Sequence, residues 1–290
     1  MRRLVFLDSR DLIDCVERAD PCDHEYLARW LRKRSARLVY TMSNVIEVMP
    51  RGREIDYALE IAHRLDHLPH VFLQHSELST IEFRHALAAF STGHKAEMRL
   101  PFRPTFWRLL PHPPDDSATA ILHQEFDTLS MPEQLRLILM GDEWIDYARE
   151  SADELASVLE IHRRMLGSGV PNKVLFRGSV VSQLDSLSFN VHDATGFADW
   201  LFREPSVCAA WRLGHEAFQE MRRDRGVIMT KSDLQDFSHV YLLPHVSAAT
   251  LDAQWREYCR RAGERLSKIG IELPYLRNLY ADTSEVLNAF

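Results

Sequence analysis

Five carboxylates stand where a folded chain of this kind could do chemistry: Asp8, Glu47, Asp233, Asp236 and Asp252. Asp8 directly follows the apolar run Leu4–Leu7, and Glu47 comes soon after Leu38-Val39-Tyr40. Asp233 and Asp236 are spaced i, i+3, which puts both on one face of a helix. Asp252 closes the triplet T-L-D ahead of another helical pattern. Carboxylate oxygens suit the hard cations Mg²⁺ and Mn²⁺, which keep waters and bind phosphate oxygens. Converging carboxylates repel one another unless a cation is present. A cluster holding one or two such ions could activate a water for in-line attack on a phosphodiester and stabilise the leaving oxygen. Each acid also has a plainer reading. Acids are favoured in the first turn of a helix, at the positive end of its dipole, and Asp8 could simply cap a helix over Leu12–Ala19.

The elements that must position these acids follow a readable order. Leu4–Leu7 is short and wholly apolar, as a buried parallel strand is. Residues 23–34 place Tyr26, Leu27, Trp30 and Leu31 on one helical face. Leu38–Tyr40 is a second strand; Ser43 or Asn44 then caps a helix carrying Glu47. Ile55–Leu65 is helical, His70–Leu73 a third strand, and Ser79 with Glu82 forms a capping box that opens the next helix. Strand and helix alternating in this way predict an α/β fold with a Rossmann-like parallel sheet. In such sheets, sites lie at the carboxyl ends of strands, where Asp8 falls.

From about residue 91 to 226 the pattern changes to helix and loop. Pro101–Pro114 reads as a connector. Ser130–Tyr147, Ser151–Leu166, Asp193–Phe202 and Ser206–Arg225 read as helices. The expected organisation is therefore a core of residues 1–90 plus 227–290, interrupted by a helical insertion over 91–226. The core resumes at Lys231, where Ser232 and Gln235 form a capping box. A helix over Asp252–Leu266 follows, ending near Gly270, and a short one over 283–290.

Composition narrows the classes. With 290 residues and 46% hydrophobic content, the chain can bury a sizeable core. Its net charge of −7 argues against a strongly basic nucleic-acid-binding domain, so phosphate contact needs a local patch or bound metal. None of the four cysteines forms a C-x-x-C pair, which excludes a zinc framework of that type and fits a reducing cytoplasm. No apolar stretch reaches the length of a membrane span, and the N-terminal apolar run is too short for a signal peptide.

L-V-F-L-D-S, S-N-V-I-E, S-D-L-Q-D-F-S-H-V-Y-L-L-P-H and T-L-D, in that order, resemble the PIN domain, a family of metal-dependent nucleases, mostly ribonucleases. The resemblance covers roughly residues 1–90 and 227–282. It implies a Rossmann-like core with acids at one edge: Asp8 as the first, Glu47 the second, Asp233 or Asp236 the third and Asp252 the fourth. It further implies Mg²⁺ or Mn²⁺ as cofactor and nucleic acid as substrate, RNA ahead of DNA. Two features depart from the family pattern: Arg10 after Asp8-Ser9, and the long insertion. The insertion could be a lid, an inhibitory element or a surface for a protein partner on a non-catalytic PIN-like scaffold.

Other candidates are weaker. Arg10, Arg51, Arg53 and Lys231 flank the acids in sequence and could hold phosphates, or be solvated surface charge. His63 and His67 have metal-compatible i, i+4 spacing but no evident third ligand. His192-Asp193 could be an acid/base pair or a helix start. His239 and His245, near the acidic helix, could assist or be core histidines. No G-x-S-x-G, Walker or G-x-G-x-x-G pattern is present. Asp8-Ser9-Arg10 lacks the second Asp of the haloacid-dehalogenase phosphatases. The insertion's aromatics (Phe102, Phe106, Trp107, Trp144, Trp200, Trp211) read as core.

Overall fold

The computed structural model describes residues 3–17, 21–48, 55–74, 77–94, 98–109, 125–139, 170–224 and 231–289. Six strands form one sheet: β1 (Arg3–Phe6), β2 (Ala36–Tyr40), β3 (His70–Leu73), β4 (Phe102–Arg103), β5 (Ala248–Thr250) and β6 (Leu279–Tyr280). Their order is β4-β3-β2-β1-β5-β6, parallel except for β4, which runs antiparallel to β3. The fold is thus α/β with a mostly parallel sheet. The chain steps outward from β1 to β3 and later returns to pair β5 on the other side of β1. This reversal makes the β1/β5 boundary a topological switch point, where the strand ends diverge and leave a crevice.

The strands are short apolar runs because both faces of the sheet are covered. Val5, Leu38, Tyr40, Phe72 and Ala248 face one layer, together with side chains of α1 (Ser9–Glu17), α2 (Pro21–Lys33), α4 (Ile55–Asp66) and the C-terminal helix α12 (Thr283–Ala289). Phe6, Val39, Leu73 and Ala249 face the other layer. There they meet α9 (Ala209–Arg223), α10 (Lys231–Val240) and α11 (Ala253–Ser267). The period of two along each strand sorts neighbouring residues between these two cores.

The segment 91–226 is distributed over the molecule. Its β4 extends the sheet, and α6 (Met131–Leu139) adds Met131 and Leu135 to the first core. α7 (Asn172–Ser186) and α8 (Ala194–Arg203) build a third cluster with Phe83 and Ala86 of α5 (Leu78–Thr92). Leu213, Ala217 and Met221 of α9 belong to the second core, beside the strands. Residues 140–169 lie outside the described residues, and with them the part of Ser130–Tyr147 after residue 139 and all of Ser151–Leu166.

Three local expectations are corrected. Ser79–Glu82 is not a capping box: the residue preceding α5 is Glu77, with no side-chain cap bond. Glu82 turns inward instead and is 2% exposed. Its carboxylate accepts the backbone N–H groups of Ala210 (3.0 Å) and Trp211 (3.1 Å) and the thiol of Cys208 (3.2 Å). His245 Nε2 lies 3.1 Å from the same carboxylate. Buried donors at the start of α9 have no water to turn to, so they claim the carboxylate that a local cap would have used. Second, α3 (Met42–Val48) is opened by Thr41 rather than by Ser43 or Asn44. The Asn44 side chain reaches back to Thr41 N–H (3.0 Å) and Thr41 Oγ1 (3.1 Å). Third, α1 starts at Ser9, ahead of the expected Leu12.

Candidate metal centre

Asp8 sits two residues beyond β1, held by bonds to β5 and to α1, with its neighbour Ser9 bonded to α3. Its N–H donates to Thr250 Oγ1 at 2.8 Å, across the β1/β5 boundary. Its carbonyl accepts from Leu12 N–H at 2.9 Å, so α1 winds up directly from this residue. Beyond β2, the buried Asn44 donates to Ser9 Oγ at 2.9 Å. Although Asp8 occupies the helix-start position, its carboxylate points elsewhere: Oδ1 lies 3.5 Å from Nδ1 of His239.

His239 and Asp236 are i, i+3 on α10 and so share a face. One ligand atom from each of Asp8, Asp236 and His239 lies within 4.8 Å of the others. The His239 side chain is 1% exposed, and neither ring nitrogen has a hydrogen-bond partner among the described residues. The Phe6 ring packs 4.8 Å away. A buried polar atom left unpaired costs about 1–3 kcal/mol, so such groups call for an explanation, an ion or a water being the usual ones.

The carboxylates open onto a cavity of about 790 Å³ whose walls hold six aspartates (Asp8, Asp11, Asp14, Asp236, Asp252, Asp282) and two arginines (Arg10, Arg256). Asp252 caps α11, its Oδ1 accepting Trp255 N–H at 2.8 Å. Asp282 does the same for α12, accepting Glu285 N–H at 3.0 Å. Both serve their helices and face the cavity as well, a cap bond occupying one carboxylate oxygen of two. Burial pushes the Asp11 carboxyl above its ordinary range. The Thr250 hydroxyl, hydrogen-bonded to it, works against this, and the negative charges of Asp8, Asp282 and Asp14 add to the rise. Arg256 Nη1 reaches the Tyr280 carbonyl at 3.4 Å, which holds its charge near the end of β6.

The structure brings together three of the five acids singled out in the sequence: Asp8, Asp236 and Asp252 all line the cavity. Asp233 stands one turn earlier on α10 and is not in the cavity wall. Glu47 lies in α3, with its side chain outside the described residues; the side chain of Lys231 is outside them too, as are Arg51 and Arg53 entirely. Arg10 is in the wall. Asp11, Asp14 and Asp282 are additions that sequence reading passed over. The run D-S-R-D-L-I-D, with acids at 8, 11 and 14, was a visible signal at helical spacing. So was the D-F-S-H of Asp236 and His239. Of the other pairs, Asp193 caps α8, accepting Gly196 N–H at 2.8 Å, and His63 of α4 meets His67, just beyond that helix, edge to face.

No protein-family model, curated protein or solved structure matches the chain.

The residues present fit a divalent cation on three grounds. Two carboxylates and a buried imidazole offer donor atoms in one small volume. The 3.5 Å between Asp8 Oδ1 and His239 Nδ1 would let both atoms reach one ion. The surrounding aspartates outnumber the arginines, and positive charge placed among them relieves their repulsion.

Proposed function

We propose that this protein is a metal-dependent nuclease with a PIN-like core, hydrolysing phosphodiester bonds in nucleic acid, RNA ahead of DNA. The observation that carries the reading is the convergence of Asp8, just beyond the end of β1, with Asp236 and His239 of α10, the two aspartates lining an acidic cavity beside the switch point of the sheet. The order of the acids along the chain and the mostly parallel sheet support the PIN-like assignment.

In this reading Asp8 and Asp236 hold Mg²⁺ or Mn²⁺. When bound, the ion supplies Lewis-acid polarisation of the phosphoryl group and a water made acidic enough to attack it. Asp8 is pre-aligned for its task by its own backbone N–H bond to Thr250 and by Asn44 on the adjoining Ser9. Asp252, fixed by its cap bond, faces the same volume and can accept a proton from the attacking water. Arg10 and Arg256 stand in the cavity wall as the positive groups for backbone phosphates on either side of the scissile bond.

The test is cleavage of labelled single-stranded RNA and DNA with Mn²⁺ by wild type and Asp8→Asn in parallel. Metal-dependent cutting by wild type alone is the expected result, with RNA cut faster. Equal cutting by a pure, folded Asp8→Asn protein overturns the assignment. Failure of the wild type both to cut and to melt at higher temperature with Mn²⁺ supports instead a non-catalytic scaffold, since an ion bound by the folded state raises its stability.

A further inference from the structure

The geometry points to His239 as a direct metal ligand, giving the centre a mixed nitrogen and oxygen donor set that selects a divalent transition ion such as Mn²⁺ over Mg²⁺. The inference rests on the reading of Asp8 and Asp236 as metal-holding residues and narrows it from hard cations in general to one class.

Three facts carry it. First, the imidazole is placed for coordination: its Nδ1 is 3.5 Å from Asp8 Oδ1, and it shares the 4.8 Å donor group with Asp236. Second, the ring has no other task for its nitrogens. It is 1% exposed, neither nitrogen has a hydrogen-bond partner among the described residues, and Nδ1 faces the Asp8 carboxylate. Packing alone against Phe6, at 4.8 Å, would be served better by an apolar residue. Third, the ring is backed by structure that resists its turning away. Val240 beside it is fully buried in the second core, and Ser238 Oγ lies 3.4 Å from Ser43 Oγ of α3, which ties this turn of α10 to the next helix.

The chemistry of selection follows from donor type. Mg²⁺ demands near-octahedral oxygen coordination and keeps its waters, whereas imidazole nitrogen binds the later divalent ions with increasing strength. A site of carboxylates alone separates Mn²⁺ from Mg²⁺ weakly. Adding a buried nitrogen donor, already dehydrated by the fold, widens the gap. His239 would then act as a selectivity residue, setting which ion the carboxylates receive.

The experiment uses the full chain and two probes, Mn²⁺ and Mg²⁺, each titrated by calorimetry into metal-free wild type and His239→Gln. Glutamine replaces the nitrogen donor by a hard amide oxygen of similar reach. The expected result is Mn²⁺ affinity reduced about tenfold or more in the variant, with Mg²⁺ affinity changed less than about threefold, so that the ratio collapses. Pulsed electron paramagnetic resonance on the Mn²⁺-loaded wild type should show coupling to a directly bonded ¹⁴N nucleus, a readout that needs neither variant nor substrate. A wild-type spectrum without nitrogen coupling overturns the ligand assignment, even if His239→Gln fails to fold. An unchanged affinity ratio in a folded variant overturns the selectivity. Mn²⁺ binding that persists in either case leaves Asp8 and Asp236 as the metal site. Absence of binding by either ion in the wild type removes the inference together with the reading beneath it.

Discussion

Thr250 is the residue on which the candidate site most depends without touching any ligand, and substituting it with valine isolates one hydroxyl. Thr250 is fully buried (0% exposed), so no water can replace what is removed. Its Oγ1 accepts the Asp8 N–H at 2.8 Å, and the same hydroxyl is bonded to the Asp11 carboxyl. Valine keeps the shape and deletes both bonds. Stranding a buried N–H costs about 1–3 kcal/mol. The bond to Asp11 adds about 1 kcal/mol, less than the roughly 1.5–3 kcal/mol of a charged acceptor because that carboxyl retains access to the cavity. The sum, about 2–4 kcal/mol, is a large share of the 5–15 kcal/mol typical of a folded domain. Urea unfolding of metal-free protein at neutral pH, followed by circular dichroism, should show the midpoint falling by about 1 M for an m value near 3 kcal/mol/M. Thr250→Ser keeps the hydroxyl, loses a methyl, and should cost about 1 kcal/mol. The same valine variant should bind Mn²⁺ more weakly, because the Asp8 backbone is no longer tied to β5. A Thr250→Val protein within about 0.5 kcal/mol of wild type, or a serine variant that falls as far as valine, would refute the claim that this hydroxyl joins β1 to β5.

Two further outcomes are expected. Glu82→Ala strands the Ala210 and Trp211 N–H groups and the Cys208 thiol in the interior, and should lower stability by about 3–5 kcal/mol, with Glu82→Gln intermediate; thermal unfolding measures this, and an alanine variant as stable as wild type removes Glu82 as the cap of α9. Burial lowers His215 from 6.5 to about 4, so the folded state keeps it neutral while the unfolded chain takes up a proton below pH 6.5. Stability from this group is therefore full above pH 6.5 and is lost as pH falls towards 4, by up to about 3 kcal/mol. Chemical denaturation at pH 7.5 and pH 5 should show a drop in wild type that is smaller in His215→Gln, and equal drops in the two proteins would count against it.

Much of the fold was legible because it is written in local periodicity. Each of β1, β2 and β3 is a short apolar run, and alternating helical patterns between them leave a parallel sheet as the arrangement that buries all of their faces. The same locality placed Asp8 just beyond a strand end and Asp252 at a helix start, since strand ends and caps depend on a few neighbouring residues. Asp233 and Asp236 mark where locality runs out. Both are acids on α10, and their spacing alone could not say which would meet Asp8. The packing of α10 against the sheet turns Asp236 and His239 towards Asp8.

Long-range contacts decided the rest. Asp8 and Thr250 are 242 positions apart, yet one hydrogen bond between them joins the two halves of the cavity. Glu82 sits 128 positions from Ala210, the N–H group that claims it from its expected local cap. Asp11, Asp14 and Asp282 become neighbours only once α12 returns beside α1, where Cys15 Sγ lies 3.5 Å from Thr283 Oγ1. The residue types and the strand ends they follow are properties of the sequence itself, because backbone propensity and hydrophobic period act over a turn or two. Which carboxylates share a cavity, and that a buried histidine joins them, depends on how helices pack across a switch point. That packing is set by the shapes of two cores formed from residues hundreds of positions apart.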